Sequence, residues 1–125
     1  MENISVESVV IYSPDIEKTR EFYEMLGFSF EKSSDWTSYH YHATLGGNIS
    51  FRLHMSKEPR SSSTTLGFRV SDVPAILRKL HTAGAKILRP AGPMAIRTEF
   101  AERRYAEIQD PDGRVVVLYE RSAEG

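Results

Sequence analysis

The sequence predicts an α+β chain in which one βαβββ pattern is written twice. Ser8 to Phe30 (SVVIYSPDIEKTREFYEMLGFSF) superposes without a gap on Thr65 to Ile87 (TLGFRVSDVPAILRKLHTAGAKI). In that overlay Ser8 meets Thr65, Asp15 meets Asp72 and Gly27 meets Gly84, the start, helix-opening and helix-closing positions of a strand–helix–strand unit. Each copy is followed by short apolar runs around a turn signal, Gly46-Gly47-Asn48 in the first and Asp110-Pro111-Asp112-Gly113 in the second.

Ile4 to Tyr12 reads as the first strand, with Val6, Ser8, Val10 and Tyr12 on one face and Glu7, Val9 and Ile11 on the other. Both faces are mostly apolar, which predicts an interior strand. Asp15 caps a helix whose stripe is Ile16, Thr19, Phe22, Tyr23 and Leu26, and Gly27 closes it. Phe28 to Phe30 starts the next strand, and Lys32 to Ser38 reads as a loop carrying Trp36. Trp36 is read either as a core anchor or as a lid or dimer contact.

Tyr39 to Leu45 and Ile49 to His54 form a hairpin. A two-residue turn would set His42 opposite Phe51. A three-residue turn, with Asn48 left-handed, pairs Thr44 with Ser50, His42 with Arg52 and His40 with His54. Only the second register separates polar from apolar residues, and it predicts a stripe of His40, His42, Ser50, Arg52 and His54. Met55 to Thr64 (MSKEPRSSST) is a polar connector.

In the second copy Thr65, Gly67 and Arg69 share a strand face. Asp72 caps a helix with Pro74 in its first turn and Val73, Ile76, Leu77 and Leu80 as its stripe. Leu88 to Phe100, broken by Pro90, Gly92 and Pro93, reads as irregular. Strands over Arg104 to Gln109 and Arg114 to Glu120 close the chain. At 125 residues this is one domain's worth, with module one at about 4–55, a linker at about 56–64 and module two at about 65–121.

A formal net charge of -1 gives no basic footprint for nucleic acid or an anionic membrane surface. The first residues lack the charged-then-apolar pattern of a secretion signal, and no apolar run is long enough to span a bilayer, so the expected location is the cytoplasm. Zero cysteines exclude disulfides, thiolate metal sites and a cysteine nucleophile. No nucleophile elbow, phosphate loop or dinucleotide fingerprint occurs.

The two βαβββ halves, the segment DIEKTREFYEMLGF and the ending DPDGRVVVLYE resemble the vicinal-oxygen-chelate superfamily, the glyoxalase, bleomycin-resistance and extradiol-dioxygenase group. The resemblance implies tandem modules curling a mixed sheet around a cavity, helices outside, in a homodimer. It also implies, for the metal enzymes of the group, one His near the start of each half and one carboxylate or amide on its last strand. Counted onto this chain, those positions are Ser8 and Thr65, then Arg52 (Phe51 if the hairpin slips by one) and Val117. None is a usual metal ligand.

The expected function is therefore metal-independent binding of a neutral or anionic organic molecule, without a cofactor. The expected ligand-binding residues are Ser8, Tyr12, His40, His42, Arg52, Thr65, Arg69, Tyr105, Glu107, Val117 and Tyr119. Arg52 and Arg69 call for anions or water, with Glu107 as one internal partner and a ligand carboxylate or phosphate as the other. The alternatives are a structural or regulatory domain whose cavity is filled by its own side chains, or a glyoxalase-like lyase, isomerase or dioxygenase. Such an enzyme would use a relocated metal at His40, His42 and His54, or acid–base chemistry by His40, His42, Glu107 or Tyr12.

Overall fold

A computed structural model describes residues 6–34, 38–57, 65–93 and 104–120. The element order is β1 (Ser8–Ser13), α1 (Ile16–Met25), β2 (Glu31–Ser34), β3 (Tyr39–Leu45), β4 (Ile49–Met55), β5 (Leu66–Val70), α2 (Val73–Thr82), β6 (Lys86–Pro93), β7 (Arg104–Gln109) and β8 (Val115–Glu120). The architecture is α+β, and βαβββ occurs twice. The chain divides into two compact units, Met1–Ser61 and Ser62–Gly125, one for each copy.

In the first unit the sheet order is β1-β4-β3-β2, with β1 parallel to β4 and the other pairs antiparallel. The Asp15 side chain accepts a hydrogen bond from the Lys18 amide and starts α1. The helix ends in a Schellman motif, the Phe28 amide on the Tyr23 carbonyl and the Gly27 amide on that of Glu24, with Gly27 at φ 112°. The α1 stripe is buried as the sequence predicts, and Tyr23 sits 5.2 Å from the Phe51 ring. Phe51 and Leu53 are fully buried, so α1 covers the sheet face carrying these odd-numbered β4 residues. The even-numbered β4 residues face the other way.

The hairpin has the three-residue register. Thr44 pairs with Ser50, His42 with Arg52 and His40 with His54, and Asn48 takes φ 63°. Two expectations are corrected here. Among the described residues β1 is the terminal strand of its sheet rather than an interior one, and Val10 and Tyr12, on the face shared with Ser8, are 41% and 39% exposed. The next strand begins at Glu31 rather than Phe28 and takes in Lys32 to Ser34, read as loop. Phe28 and Phe30 instead pack their rings toward Phe51, at 4.9 Å and 6.3 Å, so aromatic burial and not strand pairing explains that pair. Trp36 lies outside the described residues.

The second unit repeats the plan, β5-β8-β7-β6, with β5 parallel to β8. Asp72 accepts from the Ala75 amide, and Gly84 at φ 80° ends α2 with the same motif as Gly27. Val73, Leu80, Ala106, Ile108, Val116 and Leu118 are fully buried; Leu77, expected in the stripe, is half-buried. Lys86 to Pro93, read mainly as irregular, is a strand. As the terminal strand of its sheet β6 tolerates Pro90 and Pro93, and the pairing slips between Ile87 and Arg89 and again before Gly92.

The turn before β8, which the Asp110-Pro111-Asp112-Gly113 signal predicts, is built on an ion pair. Asp110 accepts from the amides of Asp112 and Arg114, and the Arg114 guanidinium donates to Asp110 at 2.9 Å and Asp112 at 3.1 Å. Both Asp110 and Arg114 are buried.

Candidate functional site

Strand register decides which of the expected residues meet. On the face of the first sheet turned from α1, one cross-strand row is Val10, Arg52, His42 and Glu31, and the next is Tyr12, His54, His40 and Ser33. Ser8 opposite Ser50 adds a third row. Ser8, Tyr12, His40, His42 and Arg52 are thus brought onto one surface, as expected.

The rings on this surface form a chain. Tyr12 lies 5.8 Å from His54, His54 stacks on His40 at 4.7 Å with planes 3° apart, and His42 follows at 5.9 Å from His40. His42 also has partners on β2: Glu31 Oε2 is 3.4 Å from Nε2 and Ser33 Oγ is 3.4 Å from Nδ1. Glu31 and Ser33 escaped the sequence reading because Glu-Lys-Ser-Ser carries no strand-forming residue, and only the pairing with β3 places them. Parallel stacking keeps the His40 and His54 nitrogens from converging with those of His42 on one point. Among the described residues no group of three or more His, Cys, Asp and Glu is arranged to hold a metal, so the geometry does not assemble the relocated site.

Arg52 is exposed, and its Nε donates a long hydrogen bond to Ser50 Oγ at 3.4 Å. It makes no ion pair with a described residue. The expected internal partner is otherwise engaged: Glu107 accepts from Arg89 Nε at 3.0 Å across β6 and β7. Arg89 was missed because its strand was read as irregular.

In the second unit the equivalent face carries the rows Gly67, Val117, Glu107, Arg89 and Arg69, Tyr119, Tyr105, Gly92. Register therefore groups Arg69, Tyr105, Glu107, Val117 and Tyr119, although the Tyr105 side chain lies outside what is described. Thr65 is exposed and sits just before β5 rather than in it. Gly67 leaves room for Tyr119, whose Cε2 would be 3.2 Å from a Cβ there. Arg69 is exposed and makes no hydrogen bond or ion pair with a described residue.

On the opposite face of the first unit lies a second polar group that sequence reasoning missed. Glu17 of α1 accepts from Tyr39 and Tyr41 at 2.9 Å and 2.8 Å through Oε2, and from Arg20 Nε at 3.0 Å through Oε1. The Tyr41 hydrogen bond, with those of Tyr39 and Arg20, holds the Glu17 carboxyl below the usual carboxylate range. In return the Glu17 hydrogen bond raises Tyr39, and burial followed by the same bond raises Tyr41. These residues tie helix to sheet.

Two sheets of the same βαβββ plan define a protein of the paired-module class. Residues 5–118 match the Glyoxalase/Bleomycin resistance protein/Dioxygenase superfamily, and the chain belongs to that superfamily. It is 28% identical, over 95% of its length and 96% of the relative's, to an uncharacterized protein of Mycolicibacterium smegmatis. It is similar to TnmS3, an antibiotic binding protein from a Streptomyces species, at 26% identity and TM-score 0.69, covering 98% of this chain and 99% of the other. Glyoxalase I from Zea mays matches at TM-score 0.73 and 19% identity, over 94% of this chain and 45% of that one, a likeness of fold.

The metal that this superfamily implies can be tested against the donor set. The four positions hold Ser8, Arg52, Thr65 and Val117. The first unit offers a neutral hydroxyl and a cation and the second a neutral hydroxyl and a hydrocarbon, and neither pair fits a divalent ion.

Proposed function

We propose that this chain is a metal-independent small-molecule-binding member of its superfamily, acting as a cytoplasmic homodimer and holding a neutral or anionic organic molecule. The observation that carries the reading is Arg52. A guanidinium stands where a metal carboxylate would, on the sheet face turned from the helix, without a carboxylate partner among the described residues. Register sets it between Val10 and His42 and beside the Tyr12–His54–His40 row, so a cation stands next to stacked rings, a pairing that suits an organic ligand with a polar or anionic group. Arg69 in the second unit has the same character. TnmS3, named as an antibiotic binding protein, supports binding over turnover. That no helix among the described residues is long and apolar enough to cross a membrane accords with the reading.

Native mass spectrometry followed by elemental analysis of the same metal-tag-free preparation tests it. The expected result is a dimer with far less than one metal per chain. About one zinc, nickel, manganese or iron per chain, lost on replacing His40 and His42, would replace this reading with that of a metal enzyme.

A further inference from the structure

We infer that the first unit recognises a planar aromatic carboxylate or phenolate, with Arg52 taking the charge and the Tyr12–His54–His40 row taking the ring. The inference rests on the binding reading above and adds to it the class of ligand. Three adjoining strands present a block of six side chains: Val10, Arg52 and His42 in one row, Tyr12, His54 and His40 in the next. From strand spacing and rise, the block spans roughly 10 by 7 Å, the footprint of two or three fused rings.

The chemistry of the block selects within that size. His54 and His40 are already parallel, 3° apart at 4.7 Å, so their order across the sheet does not have to be created by the ligand. Preset rings lower the entropy that binding must overcome. Val10 and Tyr12, 41% and 39% exposed, extend the platform with apolar surface. An aliphatic ring of equal area would gain burial but not the face and edge electrostatics of ring on ring.

Arg52 supplies the sign. Its Nε is turned to Ser50, and its two η nitrogens make no hydrogen bond with a described residue, which leaves the fork that matches a carboxylate. The one carboxylate in these rows, Glu31, lies at the β2 end and is engaged with His42. Among the described residues of these rows Arg52 offers an anion its partner at the platform, while the one carboxylate stands at the far end and faces His42.

The test is calorimetric titration, in chelator, with three probes: 2-naphthoate, its neutral alcohol 2-naphthalenemethanol, and decahydro-2-naphthoate, the saturated acid of the same carbon skeleton. Naphthoate is expected to bind at least tenfold more tightly than either of the others. Arg52→Gln should remove the preference for acid over alcohol. His54→Leu should remove the preference for aromatic over aliphatic acid. Near-ultraviolet circular dichroism checks that both variants keep their fold. Equal binding of the two acids, or an unchanged preference in Arg52→Gln, would overturn the inference and leave the binding reading standing. If no probe binds and a divalent metal does, both fall.

Discussion

His40 and His54 stand opposite each other on neighbouring strands with their rings 4.7 Å apart and 3° from parallel, on the sheet face that α1 does not cover. Such a pair adds little to the fold of its unit, because the helix of that unit, α1, packs on the opposite face, over Phe51 and Leu53. Replacing His40, His42 or Arg52 by Ala should therefore change unfolding free energy by less than about 1 kcal/mol. Phe51→Ala, from the fully buried face of the same strand as Arg52, should cost about 3–5 kcal/mol. Urea denaturation measures both; a large loss in the face variants would make the stripe structural.

Stability should also depend on acid through Glu17. Its carboxyl is held below 4.5 by Tyr41, Tyr39 and Arg20, so the folded state binds that proton less tightly than the unfolded chain does. The contribution is fully present above the unfolded value and is lost as pH falls through the folded one. In Glu17→Gln that component of acid destabilisation should disappear. Tyr39 and Tyr41 act at the other end: raised in the folded state, they contribute below pH 10 and lose that contribution as pH rises through their folded values. Unfolding curves between pH 3 and pH 11, wild type against Glu17→Gln, check both arms; parallel profiles would contradict them.

The turn before β8 gives a sharper stability test. Asp110→Ala leaves the buried Arg114 guanidinium without its closest carboxylate and two backbone amides without their acceptor. A loss of about 3–5 kcal/mol is expected. Replacing Asp110 and Arg114 together by apolar residues should recover part of it. Denaturation of the two variants decides, and an Asp110→Ala protein as stable as the parent would remove the ion pair from the account.

Periodicity carried much of the fold because its signals are local. The caps at Asp15 and Asp72, the glycines at the helix ends and the polar–apolar separation in the hairpin each need only a few neighbouring residues, and each is found as read. The misses are long-range. Glu31 is a site residue only because β2 pairs with β3, and Arg89 only because β6 continues through two prolines at a sheet end. Glu17 meets Tyr39 and Tyr41 more than twenty positions away, a contact that no spacing rule announces. The hairpin's polar stripe, His40, His42, Ser50, Arg52 and His54, was legible in its alternation, whereas the residues that contact it from β2 were not.

Metal-free ligand binding on the first sheet is tested most directly by mapping 2-naphthoate onto the isotope-labelled chain by amide NMR, with chelator present throughout. Saturable shifts concentrated at Val10 and Tyr12, at His40 and His42, and at Arg52 and His54 are expected. Shifts confined to other elements, or no binding until a stoichiometric divalent metal is added, would contradict it.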